Sequence, residues 1–117
     1  MDNKYKKLSD DFKAIKRELF EESKLKYPSV NTLERAANSF IILLKNASIE
    51  DDGFKTWADW KIRYTKIFIV DLTGELEHDY EKRNARYYQK WKNQERILNE
   101  YFGEFQIKFH DELNKDI

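Results

Sequence analysis

The chain has 117 residues, of which 38% are charged, and its 22 basic and 22 acidic side chains give a formal net charge of zero. This length suits a single domain over residues 1–117 and is too short for two ordinary domains. The even charge balance argues against a protein that binds nucleic acid through a global positive field. The absence of cysteine excludes disulfides, iron–sulfur clusters and thiol catalysis.

No stretch of the sequence is apolar enough to enter a membrane. The amino-terminal residues lack the apolar segment of a secretion signal, and the longest apolar run, residues 40–44, is far shorter than the roughly 20 residues that a membrane span needs. We therefore expect a cytoplasmic protein with no membrane partner. The many Lys, Asn and Ile residues are typical of an AT-rich coding sequence, which suggests a low-GC bacterium or a phage or mobile element that lives in one.

Two amphipathic helices are predicted in the first half of the chain. Apolar residues from Leu8 to Leu19 recur at three- and four-residue spacing, which predicts a helix over about residues 3–25 that ends before a proline. A second helix, capped by Asn31, carries the most apolar stripe of the chain. An acidic loop is predicted to follow it at residues 46–53.

Residues 54–72 fit two periodicities. As a helix they direct one apolar and aromatic stripe toward the core: Trp57, Trp60, Tyr64, Ile67, Phe68 and Leu72. As a strand, residues 62–70 are rich in β-branched and aromatic side chains, and residues 104–110 alternate in the same way. A lone strand leaves its backbone groups unpaired, so the two segments are either both helical or a paired two-strand element. The run without turn residues favours helices.

The organising element of the predicted fold is one long helix over about residues 75–102. Its apolar stripe runs from Leu76 to Phe102, its first turns are acidic, and Gly103 follows where a left-handed cap would end it. The predicted fold class is therefore all-α, a bundle of four helices, or of five if a short one follows. An α+β fold with the paired two-strand element is the alternative.

Apolar residues outside the core stripe of the third predicted helix indicate self-association. Three of its apolar residues fall outside the core stripe: Ile62, Ile69 and Val70. If this segment is helical, they need cover from a second layer of the fold or from another subunit. A homodimer is the simplest assembly that supplies such cover.

The sequence carries no arrangement typical of an enzyme. It has no Gly-rich phosphate loop, no Gly-x-Ser-x-Gly and only two histidines. Glu75 and His78 have the spacing found in di-metal helical bundles, but the second motif that such a site requires is missing. Nothing in the sequence indicates a pocket around His110. We therefore predict no catalytic residues, no metal site and no cofactor.

The local composition departs most from the average over residues 82–96, which hold six basic side chains together with tyrosines and a tryptophan. Its core-facing rings are expected to be buried, which leaves an outer strip for a partner: Arg83, Arg86, Tyr88, Lys90 and Lys92. Because Arg and Tyr often anchor interfaces, this strip predicts a non-enzymatic protein-interaction module. The alternative is nucleic-acid binding, with basic side chains on phosphates and a ring stacked on a base.

In size and charged helical character the chain is similar in type to small intracellular proteins that act by binding. Bacteriocin immunity proteins and phage-encoded inhibitors of host systems are examples. No motif carries this resemblance, so it assigns no residue a role. A small inhibitor, immunity protein or adaptor with a protein partner is therefore the expected function.

Overall fold

Four α-helices and one short 3₁₀ turn make up the described part of the chain, in a computed structural model that describes residues 3–80 and 85–114. The elements are α1 (Asn3–Ser23), α2 (Val30–Glu50), the 3₁₀ turn (Asp52–Phe54), α3 (Lys55–Tyr80) and α4 (Ala85–Leu113). No strand occurs within these residues. The prediction of an all-α bundle is confirmed. The paired-strand alternative is wrong, because residues 62–70 and 104–110 are both helical.

The ends of α2 differ from the predicted ones. Ser29 is the N-cap, with extended backbone and a hydroxyl oxygen that accepts a hydrogen bond from the Asn31 N–H at 3.1 Å. The predicted cap, Asn31, therefore lies within the first turn. At the other end, α2 extends through most of the predicted loop at residues 46–53. The remaining turn is held by Asp51, whose carboxylate accepts a hydrogen bond from the Gly53 N–H at 2.8 Å.

α1 and α2 form an antiparallel pair, and polar contacts join both of its ends. Near the short connection, the Arg35 guanidinium donates to the Glu18 carboxylate at 2.6 Å. At the opposite end, the Tyr5 hydroxyl donates to the Asp51 carboxylate at 2.6 Å. Early residues of α1 thus lie beside late residues of α2, as an antiparallel arrangement requires.

The core is aromatic where the helices converge, and Phe105 of α4 lies at its centre. The Phe105 ring centroid is 4.8 Å from that of Phe12, 6.0 Å from Phe40, 6.0 Å from Phe54 and 6.2 Å from Trp57. These partners come from α1, α2, the 3₁₀ turn and α3 in turn. Edge-on and tilted rings at such separations pack favourably and bury large apolar areas. One fully buried side chain therefore contacts every other element of the fold.

The predicted single helix over residues 75–102 is wrong. α3 ends at Tyr80 and α4 begins at Ala85, and the two helices pack side by side in opposite directions, with Lys61 paired to Glu104 and a shared groove further along. The residues between the helices lie outside the described part of the chain. α4 then continues past Gly103, so the predicted glycine cap is wrong as well. The apolar pattern runs through the break because neighbouring helices on both sides of it face the same core. No Gly or Pro marks the change of helix.

Phe105→Ala tests the aromatic core. Because the truncation leaves a cavity bordered by rings from four elements, we expect the free energy of unfolding to fall by about 3–5 kcal/mol. Ile107→Ala is the matched control on the same helix, since Ile107 is 67% exposed, and it should change this free energy by less than about 0.5 kcal/mol. Urea unfolding followed by circular dichroism measures both. Equal losses in the two variants would contradict this core.

Gly103→Ala and Gly53→Ala should change stability in opposite directions. A Cβ at Gly103 meets no atom within 4 Å, and Ala favours a helix interior, so we expect a gain of about 0.5–1 kcal/mol. A Cβ at Gly53 would overlap the buried Glu112 carboxylate, so we expect a loss of about 1–2 kcal/mol. Thermal unfolding separates the two outcomes. A loss for Gly103→Ala would indicate that the helix does end there.

Candidate functional site

α3 directs a different face to the core than its sequence pattern predicts. Three residues of the predicted core stripe, Trp60, Tyr64 and Ile67, are 53%, 48% and 51% exposed. The buried positions of the helix are instead Ala58, Thr65, Phe68, Leu72 and Leu76. The prediction that Trp60, Tyr64 and Ile67 belong to the core is therefore wrong.

Small and polar residues on the buried face explain the difference. Ala58 is fully buried, and α2, which contributes three buried alanines of its own, packs closely against α3. Thr65 is also fully buried, because its hydroxyl donates to the Lys61 carbonyl of the same helix at 2.6 Å. A hydropathy pattern gives these two positions little weight and assigns the bulky rings to the core in their place.

The exposed apolar residues of α3 form one surface, which we call the α3 stripe: Trp60, Tyr64, Ile67 and Val70. At 100° per residue, they fall within about one third of the helix circumference. The rings of Trp60 and Tyr64 stack with centroids 6.3 Å apart, and Val70 is 73% exposed. Large apolar side chains that adjoin one another on a surface are typical of interaction sites.

The predicted basis for a homodimer changes accordingly. Ile62 and Ile69 are only partly exposed and pack against the core of their own chain. Of the three residues that were expected to need cover, Val70 alone is well exposed. Any surface of α3 that needs cover is therefore the α3 stripe rather than the predicted set.

A groove of about 500 Å³ lies beside the stripe, between α3 and α4. Its lining residues are Tyr64, Ile67, Phe68, Val70, Asp71 and Gly74 from α3, and Gln94, Ile97 and Tyr101 from α4. Gly74 has no side chain, and a Cβ there would meet no atom of the described residues within 4 Å. The groove therefore has room for an inserted side chain at this position.

The end of the groove near Tyr101 is partly desolvated. Lys61 forms an ion pair with Glu104, and its ammonium lies 4.9 Å from the Tyr101 ring centroid. Burial lowers the pKa of Lys61. Burial, with smaller contributions from Glu100 and Tyr64, raises the pKa of Tyr101. Both shifts favour the neutral form, as expected next to an apolar surface.

Two charged residues of opposite sign lie on the same arc of α3 as the stripe. The Arg63 guanidinium lies over the Trp60 ring at 5.1 Å, and Asp71 is exposed at the edge of the groove. Among the described residues, neither has an oppositely charged side chain within ion-pair distance. The stripe thus carries one cation and one anion that make no ion pair within the described fold.

Of the five residues predicted as a partner site on α4, the four that the structure describes lie on two sides of the helix. Arg83 lies outside the described residues. Arg86 and Lys90 are on the side of α4 that faces the groove, in line with its α4 wall. Tyr88 and Lys92 are on the opposite side of the core stripe, toward the connection between α1 and α2.

This second side of α4 has structural contacts. The Lys92 ammonium donates to the Ser23 carbonyl at 3.2 Å and lies 3.4 Å from Glu95. Next to it, the Trp91 indole N–H donates to the Ser29 carbonyl at 2.9 Å, and the Tyr87 hydroxyl donates to the Pro28 carbonyl. These bonds fix α4 to the end of α1 and the start of α2. The Lys92 ammonium is already used in contacts within the chain, so it is poorly placed to bind a partner.

The described side chains form no metal-binding group around the other residues that were considered for chemistry. His110 is exposed on α4, and the side chains of Glu75 and His78 lie outside the described part of the structure. Among the side chains that are described, no three His, Asp or Glu residues are grouped as metal ligands. No helix in residues 3–80 or 85–114 combines the length and apolar character that crossing a bilayer requires.

Comparison with known proteins identifies no relative: no family model, curated protein or solved structure matches the chain. The candidate site therefore rests on the α3 stripe and its groove. The sequence pattern does contain one signal for this surface. Ala58, Thr65 and Leu72 recur every seven residues, and a helix that buries them must expose Trp60 and Ile67.

Ile67→Ala and Leu72→Ala test which face of α3 is buried. Leu72 is fully buried, so its truncation should lower the free energy of unfolding by about 2–5 kcal/mol. Ile67 is half exposed, and we expect its truncation to lower this free energy by less than about 1 kcal/mol. Urea unfolding of the two variants decides the matter. A larger loss for Ile67→Ala would favour the face that the sequence pattern predicts.

Proposed function

We propose that the protein is a non-enzymatic interaction module that acts by binding a protein partner through the α3 stripe. The observation that carries the proposal is the exposure of Trp60, Tyr64 and Ile67 on one helical face. Trp and Tyr are enriched among the residues that dominate binding energy at protein interfaces. Their i, i+4, i+7 spacing is also the spacing at which a helix presents anchors to an apolar partner surface.

The groove supports the same function. Apolar side chains line part of it, among them Ile67, Phe68 and Ile97, beside the rings of Tyr64 and Tyr101. Arg63 and Asp71 add one cation and one anion to the same face of α3. Protein interfaces commonly combine apolar contacts with charged groups in this way. An amphipathic helix is the partner element that this shape fits best.

Binding alone would suffice for the expected biological roles. An inhibitor, an immunity protein or an adaptor each acts by occupying a surface of another protein, and none needs catalytic side chains. The composition is typical of an AT-rich coding sequence, which fits a low-GC bacterium or one of its phages or mobile elements. The proposal therefore keeps a small binding protein of such a source as the biological setting.

Nucleic-acid binding through the basic face of residues 82–96 receives less support. The described basic residues of that segment diverge, with Arg86 and Lys90 on the groove side and Lys92 on the other. Phosphate binding along a strand needs several cations on one continuous path. We therefore do not propose it as a second function.

Affinity capture tests the proposed function. Tagged wild type, Ile67→Asp and Ile107→Asp are used as baits in a nuclease-treated lysate of the source organism, and the captured polypeptides are identified by mass spectrometry. Ile67→Asp places a charge in the centre of the stripe, so we expect its affinity for the partner to fall by about tenfold or more. Ile107 is an exposed isoleucine on α4, away from the stripe, so Ile107→Asp should bind as wild type does.

Two outcomes would contradict the proposed function. One is capture of the same polypeptides in the same amounts by Ile67→Asp and by wild type. The other is recovery of nucleic acid alone before nuclease treatment, with retention that falls steeply as salt is raised.

A further inference from the structure

We infer that the α3 stripe is self-complementary and that its partner is a second copy of this chain, packed antiparallel across a twofold axis at Ile67. The inference rests on the proposed function, because it names the partner of the same surface. In such a pair, residues equally far before and after the central residue face each other across the interface. The sequence of α3 can therefore be compared with itself in reverse order around Ile67.

The shapes match in this register. Trp60, the largest side chain of the stripe, lies seven residues before Ile67, and Gly74 lies seven residues after it. Trp60 of one copy therefore faces Gly74 of the other. A Cβ at the glycine would meet no described atom within 4 Å, and the glycine lines the groove of about 500 Å³, so this is the position of the stripe best able to receive the indole.

The charges match as well. Arg63 lies four residues before Ile67 and Asp71 four residues after it, so each Arg63 faces Asp71 of the second copy, twice per dimer. Within one chain the two residues are separated by about 12 Å along the helix and cannot pair. This accounts for two exposed, oppositely charged groups that make no ion pair among the described residues. The chain's formal net charge of zero adds no long-range repulsion between copies.

The apolar positions complete the interface. Tyr64 and Val70 are three residues on either side of Ile67 and face each other, while Ile67 meets its own copy at the axis. An apolar centre thus lies between two symmetric ion pairs. Every exposed position of the stripe meets a position of suitable size or charge. A surface that binds an unrelated partner has no need to be complementary to itself in this way.

Charge reversal tests this register. Arg63→Asp and Asp71→Arg each replace two attractive contacts by two repulsive ones, so the dimer Kd from sedimentation equilibrium should rise about 10- to 100-fold. An equimolar mixture of the two variants should recover an affinity close to that of wild type, because a chain with two acidic groups then meets a chain with two basic groups. The double variant should also dimerise, because positions 63 and 71 exchange signs and still attract each other across the interface.

Matched controls reverse charges elsewhere. Glu34 and Lys45 are exposed on α2, away from the stripe. Glu34→Arg and Lys45→Asp should leave the dimer Kd within about twofold of wild type, alone or mixed. Circular dichroism of every variant verifies the helical fold, so that a loss of association is not mistaken for unfolding.

Gly74→Leu tests the shape match independently of charge. Its Cβ meets nothing within 4 Å in the single chain, and leucine favours a helix, so thermal stability measured at low protein concentration should hold or rise. The same side chain occupies the space that Trp60 of the second copy needs, so the dimer Kd should rise by about tenfold or more.

Three results would overturn the inference. They are a wild type that stays monomeric at about 100 µM, a mixture of charge variants that fails to recover association, and a Gly74→Leu variant that dimerises as wild type does. A monomeric wild type overturns self-association alone. The proposed function is overturned separately, by equal capture of the same polypeptides by Ile67→Asp and wild type or by recovery of nucleic acid alone.

Discussion

The packing of Phe105 is the contact on which the rest of the structure depends, because its ring contacts a ring from every other element. α4 reaches α1 and α2 chiefly through large side chains, among them Phe102, whose ring centroid is 5.0 Å from that of Phe40. At the opposite end of α4, Tyr87 and Trp91 bond to backbone carbonyls at the start of α2. Two anchors so far apart along one helix determine its rotation, and that rotation sets which side of α4 faces α3.

The packing of α2 against α3 has the opposite character. Buried alanines such as Ala36, Ala37 and Ala58 let the two helices approach closely, so little room remains between them for a ring. The bulky residues of α3 are therefore directed away from α2. Trp57 still reaches the aromatic core. Trp60 does not, because three residues later on the helix its side chain points about 60° further away from the buried face. The α3 stripe is in this sense a consequence of a close helix pair combined with an aromatic core.

The sequence predicts some parts of this fold well, and the physical reasons are clear. α1 and the fold class follow from an unambiguous apolar period and from Pro28. The break between α3 and α4 could not be predicted, because no Gly or Pro marks it and both flanking helices face one core. The buried face of α3 includes Thr65, whose hydroxyl donates to the Lys61 carbonyl of the same helix. A hydropathy pattern does not identify such a polar residue as buried. The predicted strip on α4 divides because Lys92 bonds to a backbone carbonyl remote in sequence.

The charged residues of α3 affect the orientation in which another helix can cover its exposed aromatic face. Apolar contact alone does not specify direction, since Trp60, Ile67 and Val70 would gain from almost any apolar surface that covers them. A parallel, in-register pair of α3 helices would oppose Arg63 to Arg63 and Asp71 to Asp71, and like charges at short range are unfavourable. The antiparallel pair replaces both repulsions by attractions. In the dimer that we propose, the two charges therefore favour one orientation among those that the apolar residues allow, a role that charged residues commonly have beside an apolar seam.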